Sequence, residues 1–123
     1  MNAQDYLQAA DRLEAAEGLD SWTALMRVFV GRLRGMDLPA PLQPALVEAT
    51  SHWCGQPRDL VGANARVWRY IEATHPPGAD VATPDGRAAR ALLCVLMPAG
   101  DDEARSMTAE WFAAMVDEQR AAE

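Results

Sequence analysis

The stretch from Arg87 to Met97, RAARALLCVLM, constrains the fold more than any other part of the chain. At about 100° per residue, its apolar side chains cover roughly two thirds of a helix circumference and leave a narrow polar slot at Arg87 and Arg90. A helix that is apolar on most sides must be buried on most sides. Its start is marked locally, because Thr83 can cap the helix and Pro84 suits the first helical position. We therefore expect a central helix that other helices surround.

The rest of the chain predicts further helices and no strands. Apolar residues recur with helical spacing in segments that glycine and proline separate: 3–17, 20–34, 44–54, 59–74 and 100 to near Arg120. A chain of 123 residues, half of them apolar, can bury one core without disulfides or metals. The sequence thus predicts an all-α single domain over 1–123, an orthogonal or irregular bundle of five to six helices around a buried helix near 84–97.

The helical spacing also predicts which side chains face the core. In the last helix Met107, Trp111 and Met115 are expected inside, with Phe112 and Val116 as further candidates. The same reading places all four tryptophans in the core, one per helix: Trp22, Trp53, Trp68 and Trp111. A tryptophan left exposed beside the acidic residues of the last helix would instead be an anchor for a partner.

The charge balance narrows the classes of partner. The formal net charge is −7, and all eleven basic residues are arginines. An acidic field repels phosphate backbones, so we expect no nucleic acid and favour a basic protein, although solubility alone also explains the charge. The lysine-free, alanine-rich composition is typical of a GC-rich bacterial genome.

No segment predicts a membrane location. The longest apolar run, Ala91 to Met97, is far shorter than the roughly twenty residues that a membrane span requires. The N-terminus, MNAQDYLQAADRLEAAEG, is too polar for a signal peptide. We therefore expect a cytoplasmic protein with no membrane partner.

The spacing of the histidines and cysteines does not favour a metal site or a catalytic nucleophile. His52 and Cys54 are two residues apart and point about 200° away from each other on a helix, so no metal site and no cofactor are predicted. A surface pair of Glu48 with His52 is expected instead. Both cysteines are expected to be free and buried. The arginines near Cys94 could lower its pKa, but no histidine is near in sequence.

Two arginine pairs supply the alternative hypotheses. Arg87 with Arg90, and Arg66 with Arg69, have the i, i+3 spacing that can hold a phosphate or a carboxylate. The first pair, with Cys94, would suit a small ligand-binding domain or enzyme, although a buried salt bridge is the expectation for so apolar a helix. The second pair would suit a helical nucleic-acid binder, against which the overall acidity argues.

The last helix carries the candidate partner-binding residues. Its first turn is acidic at Asp101, Asp102 and Glu103, which suits the positive end of the helix dipole and lacks the spacing of an EF-hand. Glu103, Glu110 and Asp117 then repeat every seventh residue, and we expect them on the outer side.

Residues 66–72, RVWRYIE, and 85–103, DGRAARALLCVLMPAGDDE, resemble small helical immunity proteins that bacteria make against their own secreted toxins. The resemblance implies a non-enzymatic cytosolic protein that binds a cognate toxin domain and blocks its active site, often with acidic residues that meet a basic cleft. The leading hypothesis is therefore an acidic inhibitor of a basic partner, in which the acids steer encounter and mimic the phosphates of the toxin's substrate. The oligomeric state stays open.

Overall fold

The computed structural model describes residues 1–118, and every regular element in this part of the chain is helical. It contains six α-helices: α1 (Ala3–Glu17), α2 (Ser21–Arg34), α3 (Gln43–Trp53), α4 (Leu60–Thr74), α5 (Pro84–Leu93) and α6 (Asp102–Ala113). Two 3₁₀ turns, Ala40–Leu42 and Asp80–Ala82, precede α3 and α5, and a π-helical turn, Ala114–Glu118, follows α6. The all-α prediction is confirmed. The predicted helix end near Arg120 lies outside the described residues.

The helices pack around one hydrophobic core. Helix α1 packs against α2 and α6. Helices that follow one another in the sequence also pack as neighbours: α2 with α3, α3 with α4 and α4 with α5. Helix α5 also contacts α6 and the π-helical turn, and five of its ten residues are buried. Its Ala89, Ala91 and Leu92 have no exposed surface. None of the helices within residues 1–118 combines the length and the apolar character needed to cross a membrane.

Local sequence signals set the helix ends. The Asp20 carboxylate accepts a hydrogen bond from the Thr23 backbone N–H at 2.9 Å and caps α2. The Thr83 hydroxyl accepts one from the Gly86 N–H at 3.0 Å and caps α5, whose first residue is Pro84. Gly18 ends α1 with a φ of 67°, a left-handed conformation that favours glycine. The predicted cap of α5 is confirmed.

Helix α5 is shorter than predicted, because tighter turns replace it after Leu93. The carbonyl groups at a helix end have no partner inside the helix and must find one elsewhere. Here the N–H groups of Cys94, Val95 and Leu96 donate to the Ala91, Leu92 and Leu93 carbonyls. Beyond the helix, two buried tryptophans bond further carbonyls: Trp22 Nε1 donates to the Met97 carbonyl at 3.0 Å, and Trp53 Nε1 donates to the Val95 carbonyl at 2.8 Å. These two indoles fix the end of the central segment to α2 and α3.

An aromatic cluster joins α1, α2 and α6 on the other side of the core. The Phe29 and Phe112 rings stack with centroids 4.0 Å apart. The Tyr6 ring meets both edge-on, at 5.5 Å from Phe29 and 5.2 Å from Phe112. All three side chains are fully buried. The cluster therefore fixes which side of α6 faces inward.

Candidate functional site

The outer side of α6 carries large apolar residues that the sequence predicts to be buried. That prediction is wrong for Met107, which is 61% exposed, and for Trp111, which is 45% exposed. The physical reason is that α6 carries two apolar stripes, and the aromatic cluster draws in the other one, Ala109, Phe112 and Ala113. Met115 and Val116, in the π-helical turn, are buried as predicted.

Helix α4 shows the same pattern. Its core-facing row is Leu60, Ala63, Val67 and Ile71. Trp68, which the sequence predicts to lie in the core, is 36% exposed, and Val61 is 74% exposed. Trp22 and Trp53 are buried, so the prediction that all four tryptophans lie in the core holds for two of them.

Trp68 on α4 and Met107 and Trp111 on α6 line an open groove above α5. Its volume is about 580 Å³, within the range of roughly 300–1,000 Å³ that is usual for binding sites. Most of its wall is apolar and comes from three parts of the chain: Trp68 on α4, Leu93, Cys94 and Met97 at the end of α5, and Met107 and Trp111 on α6. We call it the α4–α5–α6 groove. Arg90 and Glu110 are its charged residues.

The charge of Arg90 is already neutralised within the protein. Asp80, in the 3₁₀ turn before α5 and only 1% exposed, accepts hydrogen bonds from Arg90 Nε and, at 3.2 Å, from Nη2. The hydrogen bond from Arg90 holds the pKa of Asp80 below its usual value. The guanidinium also lies over the Trp68 ring, 4.5 Å from its centroid. The buried salt bridge expected for this helix is therefore present at Arg90.

Asp80 is the ion-pair partner of Arg90, and the sequence analysis does not predict this pair. The sequence does offer a signal for it, because Asp80 is the one acidic residue in the 75–83 loop, directly before an apolar helix that contains arginines. The turn that holds it packs directly on α5, where a Cβ added to Gly86 would lie 1.9 Å from the Asp80 carbonyl oxygen. Glycine at this position therefore permits the close approach that brings Asp80 to Arg90.

The Arg87–Arg90–Cys94 region does not form one reactive site. Arg87 makes no ion pair with Asp80, and its Nη1 donates to the Val81 carbonyl in the same 3₁₀ turn at 3.4 Å. Cys94 lies under the groove but is only 5% exposed, and burial raises the pKa of its thiol to about 12.

Both cysteines are free, and the prediction that both are buried is wrong for Cys54, which is exposed at the C-terminal end of α3.

The arginines proposed for nucleic-acid binding lie on the surface of α4. Arg66 Nη2 is 3.9 Å from a carboxylate oxygen of Glu48, and Arg69 is exposed. The expected pair of Glu48 with His52 is not formed, because the His52 ring instead accepts the Arg58 backbone N–H at 3.1 Å. Across residues 1–118, no three histidine, cysteine, aspartate or glutamate side chains are grouped to hold a metal ion.

The four acidic residues of α6 and its cap divide into one structural residue, Asp101, and three free ones. Asp101 caps the helix, since its carboxylate accepts the Ala104 N–H at 2.8 Å. Asp102, Glu103 and Glu110 are exposed, and none of them forms an ion pair with a residue in the described part of the chain.

The prediction that Asp117 lies on the same outer face is wrong. Its carboxylate accepts hydrogen bonds from the Tyr6 hydroxyl and, at 3.3 Å, from Arg32, and it lies 3.6 Å from the N-terminal amine of Met1. The π-helical turn places more residues in each turn than an α-helix, so residue 117 rotates back toward α1 and α2. Burial, followed by the bond to Asp117, raises the pKa of Tyr6.

The arrangement suits binding better than catalysis. Trp111 lies next to Glu110 in the sequence, and Met107 lies one helical turn from both Glu103 and Trp111, so apolar and carboxylate groups share one exposed face of α6. The nearby thiol is buried, and Arg90 is occupied by Asp80. A surface of this kind can hold an apolar group and a cation at the same time.

No protein-family model matches the chain, and no curated protein or solved structure is significantly similar to it.

Proposed function

We propose that the protein is an acidic interaction protein that binds and blocks a basic partner, in the form of an immunity protein against a bacterial toxin domain. The observation that carries the proposal is Trp111, 45% exposed and adjacent to the exposed Glu110. This is the exposed tryptophan beside acidic residues that the sequence analysis names as a partner anchor. The resemblance of residues 66–72 and 85–103 to helical immunity proteins supports the same function.

Apolar and acidic groups would have separate tasks in such a complex. Tryptophan supplies large contact area and is enriched among the residues that contribute most to binding. Asp102, Glu103 and Glu110 would attract a basic cleft over longer distances and raise the rate of encounter. Against a toxin that acts on nucleic acid, these carboxylates would occupy the positions of substrate phosphates. The function needs no catalysis and no cofactor, and it would be exercised in the cytoplasm.

Co-expression tests this function. The product of the gene next to this one is expressed in a bacterial host with and without the protein, and growth and co-purification are measured. We expect the product alone to inhibit growth, and the protein to restore growth and to form a complex with it. A neighbouring product that is harmless and does not bind would contradict the proposal.

Charge reversal on α6 should slow association with that partner. We expect Glu103→Arg combined with Glu110→Arg to lower the association rate constant by about tenfold or more at low ionic strength. The difference should shrink as salt is added, because salt screens exposed charges. Stopped-flow or surface-based kinetics across a salt series measures both effects.

Asp37→Arg is the control for the single variant Glu110→Arg, which is measured alongside the double variant. Asp37 is exposed in the loop after α2 and has no ion pair among the described residues, and its reversal changes the net charge as much as Glu110→Arg does. It should leave the rate within about twofold. Unchanged binding and unchanged salt dependence in the Glu103/Glu110 variant would show that these residues do not steer the partner.

The volume of the α4–α5–α6 groove favours a second candidate function, a small ligand-binding domain. The groove opens on Arg90 and Cys94, two of the three residues named by that hypothesis, whereas Arg87 does not line it. The chemistry of these two residues argues against this second function, because Arg90 is already paired with Asp80 and the Cys94 thiol is protonated. Titration with a medium-chain carboxylate such as decanoate, followed by tryptophan emission, separates the two functions: saturable binding favours the ligand domain.

A further inference from the structure

The α4–α5–α6 groove is an apolar surface to which α4, α6 and the end of α5 contribute. Its large exposed side chains are Trp68, Met97, Met107 and Trp111, whose exposed fractions range from 36% to 61%. Monomeric proteins rarely expose contiguous apolar surface of this kind unless it binds something. Two of these residues are tryptophans and two are methionines, a combination that provides rigid anchors together with side chains that adapt to different shapes.

The secondary structure around the groove limits the shape of its occupant. Residues 1–118 contain no β-strand, so they offer no sheet edge to which an extended segment could add through backbone hydrogen bonds. Recognition must then use side chains. Met107 and Trp111 are four residues apart on α6 and lie side by side, with the spacing that apolar residues at i and i+4 of a second helix would match. The helix-in-groove mode fits this surface.

The charge of the groove limits the chemistry of its occupant. Asp80 cancels the charge of Arg90, whereas Glu110 forms no ion pair with any residue from 1 to 118. The uncompensated charge is therefore negative, which favours a cation and disfavours a carboxylate. Trp68 already has the Arg90 guanidinium over its ring, while no cation within the described residues lies over Trp111. A lysine or arginine placed beside Glu110 would find both a carboxylate and an aromatic surface.

We propose that the α4–α5–α6 groove binds an amphipathic α-helix of the partner, with apolar residues at i, i+3 and i+4 and a lysine or arginine that pairs with Glu110. This inference rests on the proposed function and specifies how the partner is recognised. The apolar face of the helix contacts Trp68, Met107 and Trp111, and the cation fixes its direction along α6.

Three synthetic peptides of about 18 residues, long enough for five helical turns, test this inference on the full chain. The first has a leucine face flanked by lysines, the second replaces each lysine by glutamate, and the third is a scrambled version of the first. Binding is followed by tryptophan emission and by amide shifts in NMR spectra. We expect the lysine peptide to bind at least about tenfold more tightly than both others, with shifts that map to the groove.

Variants of the groove residues test whether the peptide binds in the groove. Trp111→Ala and, separately, Met107→Ala should each weaken the lysine peptide by about tenfold or more, and Glu110→Arg should make the glutamate peptide the tighter ligand. Met107 is 61% exposed, so its truncation leaves the fold intact even if Trp111→Ala disturbs it. Val47→Ser on α3 is the matched control, because Val47 is 63% exposed and lies outside the groove. It should leave the affinity within about twofold.

Each contrary result overturns a defined part of the inference. Equal binding of the lysine and glutamate peptides would remove the role of Glu110, and equal binding of the scrambled peptide would remove the helix. Decanoate that binds the groove while no peptide does would replace the helix by a small ligand. If Trp111→Ala and Met107→Ala bind the partner protein as the wild type does, the groove and the anchor role of Trp111 are overturned, and only the acidic steering part of the proposed function stands. If the neighbouring gene product does not bind while the lysine peptide does, the proposed function fails and the groove stands.

Discussion

Replacing Phe112 by alanine should lower the free energy of unfolding by about 3–5 kcal/mol, the range for large-to-small changes at buried aromatic positions. Phe112 is fully buried, stacks on Phe29 with centroids 4.0 Å apart, and is met edge-on by Tyr6. Removing its ring leaves a cavity where α1, α2 and α6 meet. Chemical denaturation followed by circular dichroism measures the loss.

The neighbouring residue provides the control. Trp111 is larger than Phe112 but 45% exposed, so Trp111→Ala should destabilise the protein clearly less than Phe112→Ala does. The comparison decides which of the two apolar stripes of α6 faces the core. An equal or larger effect of Trp111→Ala would show that the outward position of that side chain is wrong, and the proposed anchor would fail with it.

Replacing Asp80 by alanine should lower the free energy of unfolding by about 3 kcal/mol, the low end of the range for breaking a buried ion pair. The large effect is expected because Asp80 is 1% exposed and its removal leaves the Arg90 charge without a partner. The low end applies because the Arg90 side chain is 22% exposed and reaches the water of the groove. Thermal and denaturant unfolding measure it.

Two further measurements separate the ion pair from a general loss of packing. The double variant Asp80→Ala with Arg90→Met should recover part of the loss, because it leaves no unpaired charge. The pKa of Asp80 is lowered in the folded state, so its contribution is complete above the unfolded carboxyl value of about 3.9 and is lost as the pH falls through the folded value. Asp80→Ala should therefore flatten the acid side of the stability curve. A double variant no more stable than the single one would show that the pair does not account for the loss.

The parts of the fold that the sequence predicts well have one apolar stripe and a capping residue at the start of the helix. In α2 the spacing of Trp22, Leu25, Met26, Phe29, Val30 and Leu33 leaves a single choice of inner face, and all six are buried. The caps at Asp20 and Thr83 act through hydrogen bonds to the next turn, so their partners lie within three residues. Such features depend on local geometry alone.

The candidate site could not be predicted in the same way, because it depends on which helix faces stay exposed after the helices pack together. Helices α4 and α6 each carry two apolar stripes, and only the packing of their neighbours decides that Trp68 and Trp111 stay outside. Asp117 follows the seven-residue spacing of Glu103 and Glu110, but the π-helical turn changes the register before it. The pairing of Arg90 with Asp80 requires the loop to fold back on α5. The groove is therefore a product of tertiary packing.

Thiol alkylation tests most directly whether the segment from Arg87 to Met97 is a packing centre, with binding confined to the surface above it. Cys94 is 5% exposed and burial raises its pKa to about 12, whereas Cys54 is exposed. With iodoacetamide near pH 8, we expect the native protein to lose one thiol, Cys54, quickly, and the native Cys54→Ala variant to stay unmodified until denaturant unfolds it. Rapid alkylation of the native Cys54→Ala variant would show that Cys94 is accessible and ionised. It would contradict the claim that this segment is a packing centre and would favour a reactive thiol in the groove.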